Sequence, residues 1–100
     1  MVDFPYKESY DITDLERIVA ILRAPGGCPW DAEQTHESIR RNFLEEAYEA
    51  VEAIDEKSPE HLKEELGDVL LQVVLHARME EEEGNFDLNG VADGICKKLI

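Results

Sequence analysis

The sequence predicts an all-α fold, an antiparallel helical bundle of four main helices, on three observations. Apolar residues recur every three or four positions in four separate segments, the stripe of a helix packed on one side. No segment shows the strict alternation of a half-buried strand. Residues that start and stop helices, Ser58-Pro59, Gly84 and Asp87 among them, stand at the borders of those segments.

Residues 1–12 read as a tail, with Phe4 and Tyr6 available to pack back on the body. Thr13 or Asp14 is the expected N-cap of a first helix that reaches about Arg23 and carries Leu15, Ile18, Val19 and Leu22 on one face. Ala24-Pro25-Gly26-Gly27-Cys28-Pro29-Trp30-Asp31 is dense in helix breakers and predicts a loop. A second helix follows from about Thr35 to Asp55, striped by Ile39, Phe43, Ala47, Val51 and Ile54. At Glu56-Lys57-Ser58-Pro59 the chain turns and restarts, with Ser58 as N-cap and Pro59 at the first helical position. The third helix runs to about Glu83, where Gly84 supplies a C-cap, and at 1.5 Å per residue is roughly 35 Å long. Asp87 caps a fourth helix striped by Leu88, Val91, Ile95 and Leu99. Short connections force antiparallel neighbours, so the second and third helices form a hairpin. Residues 13–100 are thus one helical domain; its apolar stripe still runs at Ile100, the pattern expected of a piece of a longer chain.

A chain of 100 residues buries a modest share of its surface, a limit that association with a second copy would relieve. A net charge of −14 argues against duplex nucleic acid or an anionic membrane as partner, since both need a basic footprint. A free nucleotide stays open, because a divalent cation can screen phosphates from carboxylates. Cys28 and Cys96 are too few for a disulfide framework or a zinc ribbon and read as reduced thiols. Met1-Val2-Asp3-Phe4-Pro5 lacks the basic start and apolar stretch of a signal peptide. No apolar run approaches the ~20 residues that span a bilayer. The expectation is a soluble, cytoplasmic protein.

The sharpest local conflict is Asp68, inside Leu66-Gly67-Asp68-Val69-Leu70-Leu71-Gln72-Val73-Val74-Leu75, a run that otherwise reads as the buried core of a helix. A buried, unpaired carboxylate costs several kcal/mol, and that run holds no lysine or arginine. A metal ion resolves the conflict. Glu46 with Glu49, and Glu65 with Asp68, are pairs three residues apart and so share a helix face. Folding the hairpin sets the two pairs on facing helices at similar heights, where four hard oxygen donors would suit Mg²⁺ or Mn²⁺. Glu49 with Glu52, Glu52 with Asp55 and Glu80 with Glu83 share that spacing, so spacing alone leaves a metal site and a solvated face both open. Position favours the site: Glu65 and Asp68 adjoin Gln72 and His76 on one polar strip, and Glu45 and Glu46 cannot both point outward beside Phe43, Leu44 and Ala47.

Around these acids, Trp30 can stack on a base or ribose, or plug the open end of the bundle. Arg40 and Arg41 can reach phosphates, or pair with Glu37, Glu45 or Glu46. Lys63 is a further phosphate candidate, as are Arg78, Lys97 and Lys98. His76 reads as a satisfied, half-buried histidine, and Asp31 as the cap of a short turn through Gln34.

Glu45-Glu46-x-x-Glu49 followed by Glu65-x-x-Asp68 resembles the signature of the MazG family of nucleoside triphosphate pyrophosphohydrolases. Gly27-Cys28-Pro29-Trp30-Asp31, Glu33-Gln34-Thr35-His36, Glu64-Glu65-Leu66-Gly67-Asp68, Leu71-Gln72-Val73-Val74, His76-Ala77-Arg78 and Gly94-Ile95-Cys96-Lys97-Lys98-Leu99-Ile100 extend the likeness over residues 13–100. The resemblance implies an all-α fold completed by homodimerisation, a higher oligomer being the variant. It implies Mg²⁺-dependent hydrolysis of a nucleoside triphosphate to the monophosphate and pyrophosphate, with Mn²⁺ as the alternative ion. By position, Glu46, Glu49, Glu65 and Asp68 would be the metal ligands. Glu45 and Glu49 would be the catalytic residues, with Glu45 orienting or deprotonating the attacking water. Trp30, Arg40, Arg41 and Lys63 are the substrate-binding candidates. Two departures stand out: Ala32 takes a position that is commonly basic in the family, and a basic segment usual after Ile100 is missing.

Three other readings compete. Related all-α pyrophosphohydrolases acting on dUTP, dCTP or a phosphoribosyl nucleotide share the acids. A non-catalytic helical dimerisation module would leave Asp68 solvated or salt-bridged. A di-iron bundle wants Glu-x-x-His on two helices, and only Glu33-Gln34-Thr35-His36 has that spacing.

Overall fold

The computed structural model describes residues 4–100; Met1, Val2 and Asp3, the start of the tail and of the stretch read for a signal peptide, lie outside the described residues. The elements are α1 (Ile12–Arg23), α2 (Pro29–Glu33), α3 (His36–Asp55), α4 (Pro59–Glu82) and α5 (Leu88–Leu99), with no strand among the described residues. Four are the predicted helices. The fifth, α2, corrects the expected loop: Pro29, preset for the first helical position, opens a short turn of helix inside the breaker-rich segment. Gly27 is needed just before it, because a side chain there would collide with the carbonyl oxygens of Ile21 and Leu22.

The start of α1 also differs from expectation. Asp11, not Thr13 or Asp14, is the N-cap: its side chain accepts from the Asp14 N–H, while the Asp14 carboxylate accepts from the Asp11 N–H. This reciprocal pair is a capping box with aspartate at both ends. Asp14 is buried and also takes the Lys7 ammonium at 2.8 Å, which ties the tail to α1. Phe4 is half-buried against the body, whereas Tyr6 points to solvent.

The most extensive packing is between α3 and α4, which form the predicted hairpin. Its turn is a Schellman motif, with Lys57 N–H to the Ile54 carbonyl at 3.0 Å and Ser58 N–H to the Ala53 carbonyl at 3.4 Å. The left-handed position falls on Lys57, φ 58°, where glycine is the usual occupant. The end of α4 repeats the motif with Gly84 at φ 77°. Ser58 caps α4 by accepting from the His61 N–H, and Asp87 caps α5 through Gly90. Ile39, Ala50 and Ala53 of α3 and Gln72, Val74, Ala77 and Met79 of α4 are buried, with Val19 of α1. α2 packs on α1 and, among the described helices, α5 packs on α4 alone.

Arg23 is the strut that joins three helices. Its guanidinium bonds both Glu82 carboxylate oxygens at 2.9 Å, and donates to the carbonyls of Asp31 at 2.7 Å and Gln34 at 3.0 Å. Asp31 therefore serves through its carbonyl, which also accepts from the Gln34 N–H, and not through a side-chain cap. The beginning of α4 is less covered than the sequence implies. Leu66 (52% exposed) and Leu70 continue the stripe of Val74 and Ala77, but α1 covers only the latter part of it. Asp68 is accordingly half-buried, not sealed in a core; the buried acid is its neighbour Glu65, 7% exposed.

Candidate functional site

The hairpin brings the two acid pairs together. One carboxylate oxygen from each of Glu46, Glu49, Glu65 and Asp68 lies within 4.8 Å of all the others. Helix periodicity explains the pairing within each helix, and the antiparallel register set by the turn places Glu46 and Glu49 opposite Asp68 and Glu65. Burial raises the Glu46 carboxyl above the ordinary glutamate range, and the charges of Glu49, Asp68 and Glu65 push it further. Glu65 is raised for the same reasons, burial first and then the Glu49 carboxylate beside it, with His61 acting in the opposite sense. Glu46 Oε2 and Glu65 Oε2 are buried without a hydrogen-bond partner among the described residues.

Such a cluster fits a divalent cation. Mg²⁺ binds oxygens at about 2.1 Å, so ligand oxygens on opposite sides of it stand about 4.2 Å apart. The four carboxylates gather oxygens within 4.8 Å of one another, a little wider than that, with only oxygen donors and two buried oxygens that lack a partner among the described residues.

The chain matches the family model described as "MazG nucleotide pyrophosphohydrolase domain" over residues 34–100, which contain all four carboxylates. The chain belongs to the MazG family. It is 52% identical over 87 residues to the nucleoside triphosphate pyrophosphohydrolase/pyrophosphatase MazG of Thermotoga maritima, an alignment covering 87% of the chain and 34% of that protein. It is 47% identical over 100 residues to the Bacillus subtilis protein YabN, covering 96% of the chain and 20% of that protein. Among solved structures it is similar to a MazG-related protein from Thermotoga maritima, with a TM-score of 0.66 and 27% identity over 84% of this chain and 75% of that one. The chain thus spans about a third or less of these two curated relatives.

The other predicted residues of this MazG-family chain do not join the four-carboxylate group. Glu45 is exposed, while Glu46 turns inward, so the two adjacent acids do part as the sequence requires. Arg40 and Arg41 are exposed and make no ion pair among the described residues, with Glu37, Glu45 or Glu46 or otherwise. Lys63 is exposed on α4 two residues before Glu65. Trp30 stands on α2, 62% exposed, and plugs nothing. Arg78 is engaged by Glu81 and Glu82, and Lys97 by Asp93.

Two histidine contacts were not foreseen. His61 bridges Glu56, at 2.7 Å, and Glu65, at 3.2 Å; its sequence signal was a position four before Glu65. At the far end of the groove His36 and His76 stack, with ring centroids 4.9 Å apart and their Nδ1 atoms 2.6 Å apart. His36 Nε2 donates to Glu80, which Asn85 also holds. Phe43 stacks on the other side of His76. Burial, then His36, lowers the His76 pKa.

No helix among the described residues is long and apolar enough to cross a membrane.

Proposed function

We propose that this MazG-family chain carries out Mg²⁺-dependent hydrolysis of a nucleoside triphosphate to the monophosphate and pyrophosphate. The observation that carries the reading is the convergence of Glu46, Glu49, Glu65 and Asp68 with two buried oxygens left unpartnered. Glu46, Glu49, Glu65 and Asp68 would hold the ion, Mg²⁺ or Mn²⁺. When bound, it supplies positive charge against the phosphate oxygens and polarises the phosphorus.

The remaining work falls to the chain's own side chains. Glu45, exposed beside Glu46, orients the attacking water and takes its proton, with Glu49 at the same end of the groove. Water adds to phosphorus as the α–β anhydride bond breaks, and pyrophosphate and the monophosphate separate. The exposed guanidinium groups of Arg40 and Arg41 and the ammonium of Lys63 are available for phosphate oxygens, and the open indole of Trp30 for a base or ribose. An anionic substrate meets a chain of net charge −14, so these few cations and the ion must together offset the repulsion.

A second copy is part of the same proposal. Leu44, Tyr48 and Val51 on α3, Leu66 and Leu70 on α4, and Val91, Ile95 and Leu99 on α5 are all exposed in the single chain. That much apolar surface supports association into a homodimer or higher oligomer. Sedimentation should show no stable monomer at micromolar concentration.

The activity is tested by incubating the chain with a panel of nucleoside triphosphates, dUTP and dCTP included, and Mg²⁺, and assaying pyrophosphate. Release that stops with excess EDTA is expected; release persisting in EDTA would sink the metal mechanism, and no release from any nucleotide would sink the activity.

A further inference from the structure

His61 lies in the first turn of α4, its backbone N–H held by the Ser58 cap at 3.2 Å. Its ring is clasped on both sides by carboxylates: Nδ1 is 2.7 Å from Glu56 Oε2, and Nε2 is 3.2 Å from Glu65 Oε1. A carboxylate accepts from a ring N–H, of which the neutral ring carries one and the protonated ring two. Glu56 is the C-cap of α3, so the ring ties the end of one helix to the metal-facing side of the next across the turn. Glu65 is the most buried of the four clustered acids, and its two oxygens are used differently. Oε1 is occupied by His61, while Oε2 is buried and unpartnered.

We infer that His61 is a positioning residue for the metal centre: its Nε2–H fixes Oε1 of Glu65 so that Oε2 alone is presented to the cation, and Glu56 holds the ring in place. The inference rests on the metal-site reading above and adds a member that lies outside the four ligands. Partners that orient a ligating side chain commonly change metal affinity or activity by about 10–100-fold when removed. A mere staple of the turn would affect folding alone.

The test is Mn²⁺ binding to the intact chain, read from the free-ion electron paramagnetic resonance signal, beside the unfolding temperature in EDTA. Asparagine can place an amide near Nδ1 but cannot reach Glu65; glutamine can place one near Nε2. His61→Asn should weaken Mn²⁺ binding about 10-fold or more, and His61→Gln should recover most of it. Glu56→Ala, which alters an exposed side chain, should weaken binding by a smaller factor, and it carries the test if His61→Asn does not fold. Unchanged affinity in His61→Asn or, failing that, in Glu56→Ala, beside a wild type that binds, overturns the positioning role and leaves the metal site standing. A lowered unfolding temperature with unchanged affinity likewise reduces His61 to a staple. A wild type that binds no Mn²⁺ overturns both readings together.

Discussion

The groove between α3 and α4 holds two polar clusters of opposite character. Near the turn, Glu46, Glu49, Glu65 and Asp68 crowd like charges together and leave buried oxygens without partners. Toward the other end, His36, His76, Glu80 and Asn85 form complementary contacts: the carboxylate accepts from a ring and an amide, and the rings stack. Both lie between the same two helices, so burial alone does not separate them. Partner chemistry does. A cluster of matched donors and acceptors, in which His76 Nε2 alone is buried without a partner among the described residues, holds helices together, whereas one that repels itself suits a cation from outside.

The largest effect should come from deleting an acid. Glu49→Ala or Asp68→Ala should lower pyrophosphate release by about 100-fold or more, since each would remove one of the four proposed ligands, while leaving the metal-free unfolding temperature unchanged or raised through relief of repulsion. A large loss of metal-free stability with activity retained would reverse the roles assigned to the two clusters.

His76→Ala should do the opposite. It removes a hydrogen bond to His36 and two ring contacts, and should cost about 1–3 kcal/mol in chemical denaturation while Mn²⁺ affinity stays at the wild-type level.

Acid titration of the metal-free chain should separate the clusters by sign. Asn85, then His36, hold the Glu80 pKa below its ordinary 4.5, so its contribution is present above that value and lost as pH falls through the lowered one. Glu46 and Glu65 are raised by burial and mutual charge, so the folded state binds their protons more tightly. Their effect is to lose stability as pH rises above 4.5 through the raised values. Denaturation across pH in EDTA should therefore show Glu80→Gln flattening the acid-side loss, and Glu46→Gln flattening the decline on the other side.

The smallest effect concerns the turn beside the carboxylates. Lys57 adopts φ 58°, and Lys57→Gly should stabilise the hairpin by about 1 kcal/mol in denaturant titration. A destabilising Lys57→Gly would mean that the lysine side chain contributes more than its backbone strain removes.

The sequence already carried the helices, the hairpin and the four converging acids, because periodicity, capping residues and spacing are local signals. Ser58-Pro59 and Asp87 acted as read. The errors arose where tertiary context decides. Asp11 capped α1 because Asp14 could answer it in a reciprocal pair. Pro29 could equally break a helix or begin one, and Arg23 reaching the Asp31 and Gln34 carbonyls supports the beginning. Asp68 drew attention from Glu65 because apolar neighbours imply burial only where another element covers them, and among the described residues Leu66 and Leu70 are only partly covered. The pairing of His36 with His76 spans 40 residues, beyond the reach of any local pattern.

Arg23 has a consequence for how such a domain can diverge. The segment bearing Trp30 hangs from that guanidinium and from α1, while the acids ride on the hairpin. The two supports meet only at Glu82, at the end of α4 away from Glu65 and Asp68, so substitutions that reshape the surroundings of Trp30 need not disturb the carboxylates. Selection can therefore retune the surroundings of the indole while the four-carboxylate cluster is inherited intact.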